Sequence, residues 1–120
     1  MNQFHNHTDN LAEIINYLPA YEDAVIPAEL FSILSDPTRI RILWLLCHTT
    51  ECVLDIGLAI NMSSPAVSHH LKILKSHNII TSKKVGQEMQ YTLADNKYAK
   101  LIHNMLDDMF NISCPGKNKN

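Results

Sequence analysis

Apolar side chains recur at helical spacing over most of the chain and predict a mainly α-helical protein. Asp36 is a suitable N-cap, and Pro37 suits the first position of the helix that follows. Pro19 ends the first apolar segment. The predicted helices, with a linker at residues 19–27 after the first, cover 11–18, 28–35, 37–47, 53–60, 62–74 and 96–111.

The segment 62–74 has the pattern of a recognition helix in a helix-turn-helix. Ser63 or Ser64 can cap its start, where Pro65 is tolerated. One face is an apolar stripe, and the other carries small hydroxyls, an imidazole and an ammonium that suit a DNA groove. The stripe is Val67, Leu71 and Leu74, and the candidate DNA-binding residues are Ser63, Ser64, Ser68, His69 and Lys72. The alternative is an amphipathic helix whose polar face only meets water.

Beyond Asn78 the pattern changes from helical to alternating. Residues 79–83 and 88–93 predict two strands joined by a turn at 85–87. A hairpin directly after a recognition helix is a wing, so the predicted fold is mainly α with a β-hairpin wing. The candidates for DNA contact on the wing are Lys83, Lys84 and Gln87.

Charge is distributed unevenly along the chain, although the net charge is only −2. Residues 1–61 hold two arginines and eight acids, whereas residues 62–120 hold eight lysines and four acids. Phosphate binding requires a local basic surface and not a basic whole protein. The asymmetry favours a nucleic-acid surface in the second half.

The last predicted helix, 96–111, is unusually apolar for the terminal helix of a small monomer. A second copy of the chain would cover this stripe, and a twofold dimer suits palindromic DNA. The alternative, for about half of these apolar residues, is that they pack against the core of their own chain. The candidate dimer-interface residues are Leu101, Ile102, Met105 and Met109.

Composition excludes several classes of protein. No apolar run approaches the ~20 residues that span a bilayer, and no signal-peptide pattern begins the chain, so we expect a cytoplasmic protein. The cysteines, Cys47, Cys52 and Cys114, form no even disulfide framework. With three glycines and no nucleophile–base motif, the chain is not expected to be an enzyme.

Three segments in order resemble the ArsR–SmtB family of winged helix-turn-helix repressors. They are residues 34–43 (LSDPTRIRIL), 66–74 (AVSHHLKIL) and 86–93 (GQEMQYTL). The resemblance covers about 28–111 and implies a homodimer on a palindromic operator, with the first and last helices at the interface. It also implies that an inducer, usually a metal ion, releases the DNA.

One metal site of the family lies on the last helix, as Asp-x-His followed by further ligands. Here the stretch is Asp95-Asn96-Lys97, and lysine is no ligand at neutral pH. That site is therefore predicted to be lost, and His103 is expected to be a surface or interface histidine.

The family's other site combines a cysteine and an acid near the start of the first helix of the motif with ligands from the N-terminal arm. The resemblance assigns the matching residues His5, His7, Cys52 and Asp55, with Asp9 as a substitute. Four such ligands suit Zn(II), which we favour as inducer, while Co(II), Ni(II) and Cd(II) fit to a lesser degree. The alternative is a half-buried thiol, a helix-start acid and a polar tail.

Two other functions remain open. A thiol or persulfide switch would use a cysteine pair, Cys52 with Cys114 or Cys47. A constitutive winged-helix module would bind DNA without any inducer. The predicted organisation is an N-terminal arm and first helix (1–27), a DNA-binding and dimerisation domain (28–111) and a disordered tail (112–120).

Overall fold

The computed structural model describes residues 9–111, and Asp9 by its backbone alone. The chain divides into two compact units, Met1–Phe31 and Ser32–Asn120. The elements are α1 (Asp9–Ile14), a 3-10 turn (Ile15–Tyr17), α2 (Tyr21–Ile33), α3 (Pro37–His48), β1 (Glu51–Cys52), α4 (Val53–Ile60), α5 (Ser64–Ser76), β2 (Ile80–Val85), β3 (Glu88–Leu93) and α6 (Lys97–Phe110).

The first unit is helical where the sequence predicts a linker. The expectation of a linker at 19–27 is wrong, because α2 already begins at Tyr21 and contains Pro27. A proline removes one backbone donor, but the turns on either side can still form. Among the described residues of this unit, nine large apolar side chains are exposed: Leu11, Ile14, Ile15, Tyr17, Leu18, Tyr21, Val25, Ile26 and Phe31.

The second unit contains the helix-turn-helix and a three-stranded antiparallel sheet in the order β1-β3-β2. The hairpin β2–β3 is the predicted wing. The short strand β1, which the sequence analysis did not predict, pairs Glu51 with Tyr91 and Cys52 with Gln90. The start of α4 is therefore attached to the wing strand β3.

The core of this unit is built from one face of each helix and the base of the wing. Val67, Leu71 and Leu74 are all at most 1% exposed, which confirms the predicted stripe of α5. The other buried apolar residues are Ile33, Ile42, Leu43, Leu46, Ile56, Ile60, Ile79, Ile80, Ala94, Ala99, Ile102 and Leu106. Among the described helices, none has the length and apolarity needed to cross a bilayer.

Candidate nucleic-acid interface and metal ligands

The recognition helix is α5, and its start is fixed by a side-chain cap. Ser63 Oγ accepts a hydrogen bond from the backbone N–H of Ala66 at 3.3 Å, and Pro65 lies in the first turn. Since the apolar stripe is buried, the opposite face is turned to solvent. The predicted DNA-binding residues of this segment are all exposed: Ser63, Ser64, Ser68, His69 and Lys72.

A tight turn sets the position of α5 relative to α4. Asn61 adopts the left-handed conformation (φ 59°), and the N–H of Met62 donates to the carbonyl of Gly57 at 2.9 Å. A Cβ at Gly57 would lie 2.6 Å from the carbonyl oxygen of Met62. The turn therefore requires glycine at position 57, and the two helices of the motif are held in close contact.

Arg39 attaches the end of α2 to the recognition helix. Its Nε donates to the carbonyl of Ile33 at 2.9 Å, and one of its terminal nitrogens lies 3.3 Å from Nδ1 of His70. Burial, assisted by the Arg39 charge, holds the pKa of His70 below its ordinary 6.5, and the Asp36 carboxylate opposes this shift. A neutral imidazole can accept the guanidinium N–H through Nδ1. Sequence reasoning missed this pair, which joins residues far apart in the chain.

The wing presents basic side chains beside the recognition helix. Gly86 takes a left-handed φ of 63° in the turn, and Lys83, Lys84 and Gln87 are exposed. Lys75 of α5 donates to Ser82 Oγ of β2 at 2.6 Å and so links the helix to the wing. Because side chains alternate along a strand, Lys84 shares the hairpin face of Ser82, and Lys83 lies on the opposite face.

Two of the predicted metal ligands lie on one turn of α4. Cys52 is the N-cap residue, is half-buried and makes no side-chain capping hydrogen bond. Asp55 is exposed in the first turn, at the position whose side chain can reach back to the cap. The predicted ligands His5 and His7 lie outside the described residues, and Asp9 is the first residue of α1. The structure thus brings together only the Cys52–Asp55 half of the predicted set.

A second cluster of ligand-type side chains joins α3 to α6. Nε2 of His48 lies 3.3 Å from Oδ1 of Asp107, and Nε2 of His103 lies 3.2 Å from Oδ2. His103 is one-quarter exposed and faces these neighbours, so it belongs to an internal cluster and is not a simple surface histidine. Its spacing to Asp107 on one helix face was visible in the sequence, but the contribution of His48 was not.

The candidate interface residues of α6 differ in their environments. Leu101 is 57% exposed and Met109 is 72% exposed, whereas Met105 is half-buried. Ile102 is only 4% exposed and packs within its own chain, as the alternative reading allowed. The apolar surface that α6 offers to a second copy is thus narrower than the predicted stripe.

Comparison with known proteins gives a consistent family assignment. The pattern of the family described as "Bacterial regulatory protein, arsR family" matches residues 36–82. The "Transcriptional repressor SmtB homolog" of Synechocystis is 33% identical over 103 residues, which are 86% of this chain and 78% of that protein.

Two further matches agree with this family assignment. A cadmium resistance regulatory protein, the CadC homolog of Staphylococcus aureus, is 37% identical over 62% of this chain and 63% of its own length. The homodimeric winged helix-turn-helix domain of Mb0332 from Mycobacterium bovis superposes with a TM-score of 0.64 at 21% identity, over 90% of this chain and 91% of that one. With the fold, the capped recognition helix and the wing in place, the chain belongs to the ArsR family of bacterial regulatory proteins.

Proposed function

We propose that this protein is a homodimeric transcriptional repressor that binds a palindromic operator and releases it when a divalent metal, Zn(II) in first place, is bound. The observation that carries this proposal is the recognition helix itself. A capped helix with a fully buried stripe exposes Ser68, His69 and Lys72 on its other face, next to a basic wing. The relatives named as repressors support the same function.

Each part of this surface has a distinct task at the DNA. Ser64, Ser68 and His69 are short side chains that can reach base edges in a major groove, and Lys72 can bind phosphate. The wing lysines, Lys83 and Lys84, add phosphate contacts beside the groove. The hydrogen bond from Lys75 to Ser82 links the recognition helix to the wing.

Exposed apolar side chains support a dimer. Leu101 and Met109 leave large apolar surfaces in water on α6, as do most apolar residues of the N-terminal unit. Burying such surface contributes about 25 cal/mol per Å². A second copy would bury these side chains and would present two recognition helices to the half-sites of a palindrome.

Cys52 and Asp55 fit half of a zinc site. Cys52 is the N-cap of α4 and Asp55 is the third residue after it, where a side chain can reach back toward the cap, and neither residue is fully buried. We infer that His5 and His7, with Asp9 as the substitute, supply the remaining ligands. The cadmium resistance named for the CadC homolog is in keeping with a metal inducer.

The position of Cys52 explains how inducer and DNA can affect each other. Cys52 pairs with Gln90 of the wing strand and is the N-cap of α4, which the Gly57 turn holds against α5. A restraint on Cys52 therefore acts on both DNA-contacting elements. Such coupling is reciprocal and typically amounts to about 1–3 kcal/mol, or about 5–150-fold in affinity.

The test is a fluorescence-anisotropy titration of a promoter-derived duplex with the full chain, first with chelator and then with Zn(II). We expect Zn(II) to weaken DNA binding about tenfold or more in the wild type. The Cys52→Ser variant should bind DNA equally well with and without Zn(II), and the matched Cys114→Ser variant should respond like the wild type.

Two results would contradict the metal-sensing proposal. If Zn(II) has no effect and an oxidant or a persulfide releases the DNA, the protein is a cysteine-based redox or persulfide-sensing repressor. If no treatment changes the affinity, the protein is a constitutive DNA-binding module.

A further inference from the structure

His48, His103 and Asp107 form a compact group of donors at the packed faces of α3 and α6. One ligand atom from each residue lies within 4.8 Å of the other two. Among the described residues, Cys52 and Asp55 are not part of this group. The cluster is therefore separate from the inducer ligands proposed above, and its role does not depend on theirs.

The orientation of His48 is the decisive detail. Its Nδ1 lies 2.7 Å from the carbonyl oxygen of Trp44, which can only accept, so Nδ1 carries the proton. In the neutral ring, Nε2 then carries a lone pair. The side chain is only 7% exposed, and Nε2 is buried, makes no hydrogen bond and faces a carboxylate oxygen of Asp107 3.3 Å away.

A lone pair that faces a carboxylate oxygen is repelled by it, and a positive charge on or between the two atoms would relieve this repulsion. Either a proton makes the ring an imidazolium, or a cation accepts both electron pairs. A histidine whose second nitrogen donates to a backbone carbonyl is the usual arrangement of a metal-binding histidine. The carbonyl of Trp44 fills that supporting role.

The distances also suit a metal ion. Ligands at about 2.0–2.1 Å from a tetrahedral zinc ion lie about 3.3–3.4 Å from each other. Nε2 of His48 lies 3.3 Å from Oδ1 of Asp107 and Nε2 of His103 lies 3.2 Å from Oδ2, so each imidazole faces its own carboxylate oxygen at close to that separation. His103 and Asp107 are one helical turn apart, so both side chains project from the same face of α6.

We propose that His48, His103 and Asp107 form a second divalent-metal site that takes Zn(II) or Co(II) and clamps α3 to α6. Two imidazoles and one carboxylate are donors for first-row divalent ions, and the absence of a thiolate from the set disfavours softer ions. Three protein ligands leave a fourth position for water. Because the ligands come from two helices, bound metal stabilises their packing.

Co(II) absorption spectroscopy tests this site on the full-length, metal-free chain. The Cys52→Ser variant serves as background, since thiolate ligation produces an intense near-ultraviolet band that imidazole and carboxylate do not. We expect this variant to bind one Co(II) per chain with visible d–d bands and no thiolate band, and Co(II) should raise its melting temperature.

Substitutions within the site identify the ligands. Asp107→Asn, His103→Gln and His48→Gln, each in the Cys52→Ser background, should weaken Co(II) binding roughly tenfold or more. The matched control is Asp108→Asn, which alters the exposed neighbour and should leave the bands unchanged. Circular dichroism of each metal-free variant checks that it is folded. If the His48→Gln variant does not fold, because His48 is largely buried, the His103→Gln variant still tests the site.

The proposal is overturned if the Cys52→Ser variant binds no Co(II), or if the d–d bands survive Asp107→Asn and His103→Gln. The cluster is then a proton-charged ion pair between the helices. Neither result bears on the inducer site, because loss of the thiolate band in Cys52→Ser and the zinc response in the DNA titration report on that site separately.

Discussion

At the scale of single residues, a small polar network centred on Arg39 links the start of α3 to the end of α2 and to α5. Asp36 caps α3 by accepting from the N–H groups of Thr38 and Arg39, and the hydrogen bond from Arg39 is the main reason that the pKa of Asp36 is lowered. Arg39 in turn reaches Ile33 and His70. Three helices are therefore connected through one guanidinium group.

This network predicts a pH-dependent stability. Because the pKa of His70 is lowered in the folded protein, its contribution is fully present above the ordinary value of 6.5 and is lost as the pH falls through the lowered pKa. Protonation removes the acceptor for Arg39, and a hydrogen bond of this kind contributes about 1 kcal/mol. We expect the wild type to lose more stability than His70→Gln between about pH 8 and about pH 5.

Thermal unfolding followed by circular dichroism at both pH values measures the difference. The matched control is His77→Gln, which changes an exposed histidine at the end of the same helix and should keep the wild-type pH profile. An identical pH profile in His70→Gln and the wild type would show that the Arg39 contact does not depend on the protonation of His70.

At the scale of elements, the wing is attached on two sides. β3 pairs with β2 along its length and with β1 at the start of α4, and Lys75 links β2 to α5. The exposed tip, in contrast, has only the hairpin to support it. Lys83 and Lys84 are opposite Gln90 and Met89, where neither cross-strand neighbour is charged. Their charges are thus available to phosphate.

Neutralising the wing lysines should weaken DNA binding in a salt-dependent way. Affinity falls as salt rises, and each phosphate contact makes the slope of log affinity against log salt concentration steeper by about 0.9. We therefore expect Lys83→Ala and Lys84→Ala each to lower the slope by about 0.9, with similar losses on operator and unrelated duplexes. Anisotropy titrations at several salt concentrations give the slope.

Lys97→Ala is the matched control, since it removes an exposed lysine from α6 and leaves the wing intact. If only one wing lysine changes the slope, only one face of the hairpin lies against the DNA. A slope that stays constant in both wing variants would exclude the wing from the interface.

At the scale of the whole molecule, helix α6 carries apolar side chains on its surface as well as in the core. Leu101 and Met109 are exposed on α6, although Ile102 and Leu106 of the same helix are buried in the core. One face of α6 is thus buried in the core of its own chain, and further apolar side chains of the same helix are exposed to solvent. The exposed residues are the ones we expect a second copy to cover.

Placing a charge on that surface should disrupt the dimer. Leu101→Glu loses part of the ~1.5–3 kcal/mol gained by burying a leucine and adds a carboxylate without a partner. We expect the dimer dissociation constant to rise roughly tenfold or more, as measured by sedimentation equilibrium. Leu58→Glu, on the exposed side of α4, should leave the dissociation constant unchanged. Equal association of Leu101→Glu and wild type would place the interface elsewhere.

Features with local causes could be predicted from the sequence. The bounds of α4, the capped and striped α5 and the hairpin around Gly86 follow from neighbouring residues, because caps, helical spacing and turn glycines act within a few positions. The uneven charge is likewise a property of the sequence, and the residues predicted to bind DNA are exposed as expected. The positions of Cys52 and Asp55 at the start of α4 follow from local sequence too, and their role as inducer ligands stays a prediction.

Only the tertiary structure decided the remaining features, because they depend on contacts between distant parts of the chain. The helix through Pro27, the pairing of β1 with the wing and the burial of Ile102 have no local signal that outweighs the alternatives. The same holds for Arg39 with His70, and for His48 with Asp107, which meet only when α3 packs against α5 and α6. The sequence determined the capped, striped helix that we propose meets DNA, and packing decided which side chains became partners.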